Sequence, residues 1–320
     1  LDVSRWFAGV CDFFTMALQQ APPVDWQARP FQSIVHGHML RLRRYLLGLG
    51  RLSWPAEPSR GADALISAID CFYPILKSLF EVLVEHRLTV AYRAEFGARP
   101  DWESELADRM MRYTNVVKMK QNRSAFEHPE LLNFAYDSLP AEVQRYFERG
   151  KEDASQRLKQ FVNDGLSEER PGRVRHWFPE ENAAGKKYGG RAVGSMQWRC
   201  VEVLAGYEED EAKGLMWTSG YHTVYYVLNL MSHPLQGYRD AFLPESERLY
   251  DLFHVQGHMI TLIYFFALPD LVALLRVRPE SDPSMLRLWQ EIEALQKEIL
   301  NAWTLYSAIL EKDRDWRTEP

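Results

Sequence analysis

The chain has 320 residues, of which 46% are hydrophobic, 26% charged and 13% aromatic, a balance that excludes a disordered chain, a collagen-like repeat and a small disulfide scaffold. Its 44 acidic residues outnumber its 38 basic ones, and the formal charge of −6 argues against a nucleic-acid partner. Three widely spaced cysteines match neither a zinc ribbon nor a disulfide framework, and the first twenty residues do not resemble a signal peptide. We therefore expect a cytoplasmic protein.

Helical periodicity dominates the sequence. Apolar residues recur at spacings of three and four over residues 31–49 and along a run from 71 to 96, and Asp101 is placed to cap a third helix. Asp282 followed by Pro283 predicts the cap and first turn of a final long helix. That helix should bury one apolar stripe, formed by Leu286, Trp289, Ile292, Leu295, Ile299 and Trp303. Strand signals are scarce, so the sequence predicts an all-α fold, a bundle of long helices.

Residues 171–196 are the exception to this pattern. Their five glycines predict a long loop, and long loops inside compact domains are usually functional lids or disordered. We expect a single all-α domain over residues 1–320 with a loop or lid at 171–196. The most apolar run, residues 259–275, is interrupted by Pro269 and Asp270, so no membrane-spanning segment is expected.

Two histidine clusters are candidates for chemistry. His36 and His38 lie two residues apart on the helix predicted over 31–49 and point about 200° apart, so only one of them can line a given pocket. Asp251, His254 and His258 are spaced by three and four residues and share one helical face, which is a geometry that can present ligands to a metal. The apolar and aromatic residues around this second cluster suit a haem iron.

The segment from Gly194 to Gly206 is a third candidate. Arg199 and Glu202 are three apart and can pair with each other on a helix. An arginine next to an aromatic residue, Trp198, at the start of a helix also suits a substrate carboxylate, which a guanidinium holds with two hydrogen bonds.

The residues of this segment resemble a family signature. Ser195, Gln197, Trp198, Arg199 and Glu202 are similar to the Ser-x-Gln-Phe-Arg-x-x-Glu motif of tryptophan 2,3-dioxygenases, and Trp-Arg-x-x-Glu-Val-Leu also resembles a segment of haem-dependent tyrosine hydroxylases. Residues 258–262 resemble the dioxygenase segment that carries the proximal haem histidine, and residues 34–49 resemble the helix that carries the distal histidine. The three segments occur in the same order. The chain therefore resembles the haem-dependent aromatic oxygenase superfamily.

The chain departs from the tryptophan dioxygenase pattern after His258. The family's Gly-Thr-Gly-Gly loop has no counterpart in the glycine-free stretch that follows, and only 59 residues separate Arg199 from His258. The shorter interval is closer to the tyrosine hydroxylases, whose haem-binding segment resembles Tyr250, Asp251, His254, Gly257 and His258 with a small shift. The shift leaves His258 and His254 as alternative iron ligands. The tyrosine hydroxylases carry a cysteine that attaches haem covalently. This chain has no counterpart to that cysteine, since Gln256 is the nearest equivalent, and the resemblance therefore implies non-covalent haem b.

The resemblance implies a haem-dependent oxygenase that uses O₂ or hydrogen peroxide on an aromatic amino acid or close derivative. Ring hydroxylation of a tyrosine-like substrate is favoured over cleavage of an indole ring. It implies that His258 or His254 binds iron, that His36 or His38 is the catalytic residue on the opposite face, and that the substrate contacts Arg199, Trp198, Ser195 and Tyr207. A homo-oligomer is expected.

Two other functions are compatible with the same residues. Asp251, His254 and His258 could hold a non-haem metal in a hydrolase. Alternatively, the histidines are core residues of an all-α binding module without catalytic activity.

Overall fold

A computed structural model describes most of the chain: residues 3–23, 25, 28–52, 61–127, 140–145, 148, 149, 152, 156, 176–189, 193–231 and 245–315. Within these ranges only the backbone is described for residues 52, 61–71, 115, 116, 118–127, 230, 231, 245–253, 303 and 305–315. The described residues form helices and no strand, with one isolated β-bridge between Glu181 and Lys187. The predicted all-α fold class is confirmed.

Ten α-helices are labelled here in chain order over the described residues. They are α1 Val3–Gln20, α2 Pro30–Leu52, α3 Gly61–Phe96, α4 Trp102–Glu127, α5 Ala205–Tyr207, α6 Glu211–Ser219, α7 Tyr226–Met231, α8 Glu245–Leu262, α9 Leu268–Leu274 and α10 Pro283–Asp315. Among the described residues of the second half, three π-helical segments interrupt the α-helices: π1 Trp198–Leu204, π2 Gly220–Tyr225 and π3 Ile263–Ala267. The predicted helix over 31–49 corresponds to α2, and α3 begins ten residues before the helix predicted from residue 71.

The chain divides into two compact units. The first comprises residues Leu1–Ala91 and Arg199–Pro320, and the second comprises Tyr92–Trp198. The predicted loop at 171–196 falls within the second unit. The single domain expected from the sequence stays a prediction.

Helix α1 is the amphipathic element at the start of the first unit. Its buried residues recur at helical spacing: Trp6, Phe7, Val10, Cys11, Phe13, Phe14 and Ala17. This face packs on α2 and α10, and the ring of Phe13 lies 5.2 Å from that of Trp289 between centroids. Burial of these large rings contributes much of the apolar surface removed from water in this part of the unit.

Helix α10 begins as the sequence predicts. The Oδ1 of Asp282 accepts hydrogen bonds from the backbone N–H of Ser284 at 2.9 Å and of Met285 at 3.3 Å. The predicted stripe is wrong at its first residue, because Leu286 is 38% exposed. The residues that are buried in the described part of the helix are Met285, Ile292, Gln296 and Ile299, whose spacings of seven, four and three follow the 3.6-residue helical period.

The second unit is built around aromatic rings. Its buried rings include Tyr92, Phe96, Trp177, Phe178 and Trp198. Trp177 and Phe178 belong to the predicted loop and are 3% and 1% exposed, so that part of the loop is anchored in the unit.

A tight turn follows these anchors. The Asn182 N–H donates to the Lys186 carbonyl at 2.9 Å, and Gly185 adopts a φ of +75°, which favours glycine. One of the glycines that predicted a loop is thus used in a turn of 181–187.

The stretch His254–Leu274 covers the second half of α8 together with π3 and α9. Among the residues that the structure describes, it is long and apolar enough to cross a membrane by length and composition, and 56% of its most apolar window is buried inside the fold. Asp270 within this stretch forms an ion pair with Arg87 of α3 and a hydrogen bond with His86 of the same helix. These contacts make the stretch part of the core of the first unit.

Gly214 of α6 marks a close approach between two backbones in the first unit. A Cβ added there would lie 2.8 Å from the carbonyl oxygen of Ala205, whereas a Cβ at the exposed Gly206 would meet nothing within 4 Å. The contact between α5 and α6 therefore needs a residue without a side chain at position 214.

We expect Gly214→Ala to lower the free energy of unfolding by about 1–3 kcal/mol through overpacking, although alanine favours helices. Gly206→Ala should change it by less than about 1 kcal/mol. Urea denaturation followed by circular dichroism measures both variants. Equal stability of the two variants would contradict the close approach at Gly214.

Candidate functional site

Arg199 lies in π1, in the first unit. Its Nη1 donates to Oε1 of Glu85 on α3 at 2.6 Å, and the two side chains are only 15% and 24% exposed. A π-helical turn is wider than an α-helical one and often occurs at functional sites. Arg199 is thus held by a carboxylate from α3. The sequence had suggested only the nearby Glu202 as a partner for it.

Two histidine rings lie close to this ion pair. The ring of His38 on α2 is 6.1 Å from that of His86 on α3 between centroids, with the planes at 84°. Burial lowers the pKa of His38 to about 3, the nearby His86 adds to this effect, and the negative charge of Glu85 opposes it. Glu85 is therefore hydrogen-bonded to Arg199, and its charge also acts on His38.

The Nδ1 atoms of His38 and His86 are the unusual feature of this pair. Both are buried and have no hydrogen-bond partner among the described residues. Buried polar atoms are nearly always hydrogen-bonded, so each such case needs an explanation. Of the two predicted candidates on α2, His38 belongs to this cluster, whereas His36 is a half-buried residue of the same helix.

Behind His86 lies a network of buried charges. Asp270 of α9 accepts from Nε2 of His86 at 3.0 Å and from Nη1 of Arg87 at 2.8 Å, both at the same oxygen, Oδ2. Arg87 also donates through Nη2 to Glu208 at 2.6 Å. Burial favours the neutral form of Asp270, but hydrogen bonds and charges from His86 and Arg87 outweigh it and lower the pKa of the carboxyl.

Aromatic rings surround the Arg87 guanidinium. Its Cζ lies 5.0 Å from the ring centroid of Phe266 and 5.9 Å from that of Tyr207, which are cation–π distances. Trp217 Nε1 donates to Glu208 at 3.4 Å. Tyr207, which was predicted to contact substrate, therefore lies against Arg87.

A second group of rings lies near Arg199. Tyr221 and Tyr225 of π2 stack with centroids 6.0 Å apart, and Phe80 of α3 lies 5.8 Å from Tyr225. Burial raises the pKa of Tyr225, the charge of Glu81 adds to this effect, and Arg199 opposes it. The charge of Arg199 therefore acts on Tyr225, the ring that lies between Phe80 and Tyr221 in this group.

His254 and His258 form the second predicted histidine pair, on α8. Their ring centroids are 4.8 Å apart, and both residues are half-buried. Burial lowers the pKa of both rings, that of His258 to about 4 with a further contribution from His254. Both imidazoles are therefore neutral at pH 7, which is the form that binds a metal ion.

The non-haem alternative requires Asp251 as a third ligand, and the side chain of Asp251 lies outside the described residues. Among the side chains that are described, no group of three or more His, Cys, Asp or Glu could hold a metal ion. A haem iron needs only one protein ligand, so this requirement does not apply to it.

Gly220 of π2 lies close to one residue of α3 and one residue of α8. A Cβ at this position would lie 3.2 Å from Cε2 of Phe80 and 3.4 Å from Cδ1 of Leu262. Leu262 follows His258 by four residues and shares its helical face. The lack of a side chain at Gly220 thus lets Phe80 of α3 and Leu262 of α8, one turn beyond His258, both pack closely against π2.

Ser195 and Trp198 belong to the second unit. The Ser195 hydroxyl oxygen accepts a hydrogen bond from the Trp198 N–H at 3.1 Å, as a helix cap does. Trp198 is fully buried, with its ring 6.1 to 6.4 Å from the rings of His176, Phe178 and Tyr188. In this structure both predicted substrate-binding residues contact their own unit.

Sequence reasoning missed the residues on α3. Glu85, His86 and Arg87 interrupt an otherwise apolar helix, and their partners Glu208 and Asp270 are remote in sequence. Three consecutive ionisable residues inside a buried helix were the available signal, because such residues are buried only when they are paired.

We expect Asp270→Asn to lower the free energy of unfolding at pH 7 by about 3 kcal/mol, because Arg87 would stay buried beside a neutral amide. The carboxylate of Asp270 stabilises the fold fully above its ordinary pKa of 3.8, and this contribution is lost as the pH falls through its lower folded pKa. Urea denaturation should therefore show the difference between wild type and variant shrinking below about pH 4.

Asp108→Asn is the matched control for this experiment. Its ion pair with Arg112 joins side chains that are 55% and 41% exposed, so the loss should be at most about 0.5 kcal/mol. A difference between wild type and Asp270→Asn that stays constant from pH 7 to well below the folded pKa would contradict the ionised, paired state of Asp270.

No family model matches the chain, and comparisons with curated proteins and with solved structures find no match either.

Proposed function

We propose that the chain is a haem-dependent oxygenase that acts on an aromatic amino acid or a close derivative. The observation that carries this proposal is the position of Glu85. Its carboxylate is hydrogen-bonded to Arg199 and lies in electrostatic range of His38. These two residues come from separate segments that resemble haem-dependent aromatic oxygenases, and the same compact unit contains the third segment, with His258.

The residues around His258 fit a haem group. Haem iron binds a neutral imidazole, and burial keeps His258 neutral. Its neighbours on α8 and π3 are buried and apolar: Val255, Met259, Ile260, Leu262 and Ile263. His258 is preferred over His254 as the ligand because burial lowers its pKa further and because it lies one turn before the contact of Leu262 with Gly220. When bound, haem b supplies the activation of O₂ or hydrogen peroxide.

The chain's own residues bind and orient the substrate in this proposal. Arg199 holds the substrate carboxylate, for which its guanidinium offers paired donors. Tyr221, Tyr225 and Phe80 pack against the aromatic side chain. His38 has a low pKa and is neutral at pH 7. It therefore orients a reacting group by hydrogen bonding and does not act as a general acid. Hydroxylation of a tyrosine-like ring is favoured over cleavage of an indole ring.

Haem binding is tested with the purified protein. We expect a Soret band after expression with haem supply, and we expect His258→Ala to lose most of the haem, because the iron loses its ligand. His254→Ala and the exposed His222→Ala should retain it. Haem content is measured as pyridine haemochrome, with circular dichroism to check folding. Full haem retention by His258→Ala would overturn the assignment of the ligand, and a wild type that binds no haem would overturn the function.

Carboxylate binding is tested by titrating the haem protein with tyrosine and with tyramine, which lacks the carboxylate. Loss of a charge-assisted hydrogen bond is worth about 1.5–3 kcal/mol, so Arg199→Ala should weaken tyrosine binding by about 10- to 100-fold and tyramine binding much less. Arg199→Lys should be intermediate, because lysine lacks the paired donors. The exposed Arg287→Ala is the control. An equal effect on both ligands would remove the carboxylate role from Arg199.

A further inference from the structure

His86 on α3 is a fully buried imidazole that is anchored at one of its two ring nitrogens. Its Nε2 lies 3.0 Å from Oδ2 of Asp270, and the same oxygen accepts from Nη1 of Arg87 at 2.8 Å. Burial favours the neutral form of Asp270, but hydrogen bonds and charges from His86 and Arg87 outweigh it and lower the pKa of the carboxyl. Asp270 is therefore ionised at pH 7 and can only accept. Nε2 of His86 thus carries a proton whether the ring is neutral or cationic.

The second ring nitrogen, Nδ1, is the atom at which His86 can gain or lose a proton. It is buried and has no hydrogen-bond partner among the described residues. A flip of the ring would break the hydrogen bond to Asp270, so that bond holds Nδ1 on the side away from the carboxylate. The ring of His38 lies 6.1 Å away between centroids, and its Nδ1 is likewise buried without a partner among the described side chains.

The two neighbouring imidazoles differ in their carboxylate partners. Burial lowers the pKa of His38 to about 3, the nearby His86 adds to this effect, and His38 is neutral at pH 7. For His86, the hydrogen-bonded Asp270 stabilises the imidazolium that forms when Nδ1 takes up a proton. The other charged groups close to the pair lie on α3 and α2: Glu85, Arg87 and Arg41. Of the two rings, His86 is the one that is equipped to carry a proton.

We propose that His86 transfers a proton at Nδ1 to and from a molecule bound beside His38, with Asp270 as its positioning residue. As a base, His86 takes the proton of a bound O–H or N–H group. That bond breaks, an N–H bond forms at Nδ1, and an anion and an imidazolium result. The reverse step returns the proton, and Nε2 keeps its own proton throughout. The inference rests on the proposed function in one respect, which is that the bound molecule is the substrate of the oxygenase.

Proton exchange at Nδ1 is tested in the full chain without haem or substrate. Nitrogen NMR of ¹⁵N-histidine-labelled protein distinguishes bare from protonated ring nitrogens, and His86→Gln assigns the signals of His86. Between about pH 5 and about pH 9, we expect Nε2 to stay protonated while Nδ1 gains a proton as the pH falls. A bare Nε2 at any pH, or an Nδ1 that stays in one state over the whole range, would overturn the proposal.

The positioning role of Asp270 is tested in the same spectra. Asp270→Asn should admit the tautomer with its proton on Nδ1, because an amide donates as well as accepts. Asp270→Glu keeps a carboxylate and should restore the wild-type pattern, and the exposed Asp108→Asn should not change it. An unchanged tautomer in Asp270→Asn would remove the positioning role. Because the wild-type spectra test the exchange at Nδ1 by themselves, a variant that does not fold leaves that test intact.

The role of His86 in the proposed reaction is tested in the haem protein. General acid–base catalysis contributes about 10²- to 10⁴-fold, so His86→Gln should lower kcat by this factor and change tyrosine binding by less than about threefold. The pH dependence of the remaining rate should flatten, whereas the exposed His222→Gln should match the wild type. An unchanged kcat in His86→Gln would reject the transfer and keep the oxygenase. A protein that binds no haem would reject the oxygenase, and the NMR titration would then decide the proton exchange alone.

Discussion

The ion-pair network of Arg87 is the interaction on which the rest of the first unit depends. A guanidinium on a buried helix is tolerated only where carboxylates and hydrogen bonds replace its water. Asp270 and Glu208 supply them from two segments that are remote in sequence, so the network fixes α9 and the end of α5 against α3. The same Asp270 oxygen also orients His86. Because buried Arg87 must be paired with Asp270, the same carboxylate also fixes the orientation of the neighbouring His86 ring.

The π-helical segments connect this constraint to the site. Each adds a residue to a helical turn and so changes which face the following side chains occupy. π1 contains Arg199, π2 begins with the glycine that admits Phe80 and Leu262, and π3 directly precedes the helix of Asp270. The three irregular segments thus lie where α3 meets its charged and aromatic partners, and regular helices would present other residues there.

Local signals in the sequence predicted the helices and the cap at Asp282, because periodicity and capping depend on residues close in the chain. The same reasoning placed Leu286 on the buried stripe, since a spacing of three from Trp289 fits a helix over one turn but drifts from the 3.6-residue period over several. It proposed Arg199 and His38 but missed Glu85, His86 and Asp270. Their roles arise from pairs that connect remote segments, and no local pattern encodes such pairs.

Buried charge is also the physical argument for a site at this position. Replacing a buried ion pair by well-packed apolar residues is often neutral or stabilising, so pairs of this kind are weak contributors to stability. The first unit nevertheless concentrates Glu85, His86 and Arg87 on one turn of α3, and the Nδ1 atoms of His38 and His86 are buried without a hydrogen-bond partner among the described residues. Conflicts between local composition and burial are expected where a protein binds or transforms a ligand.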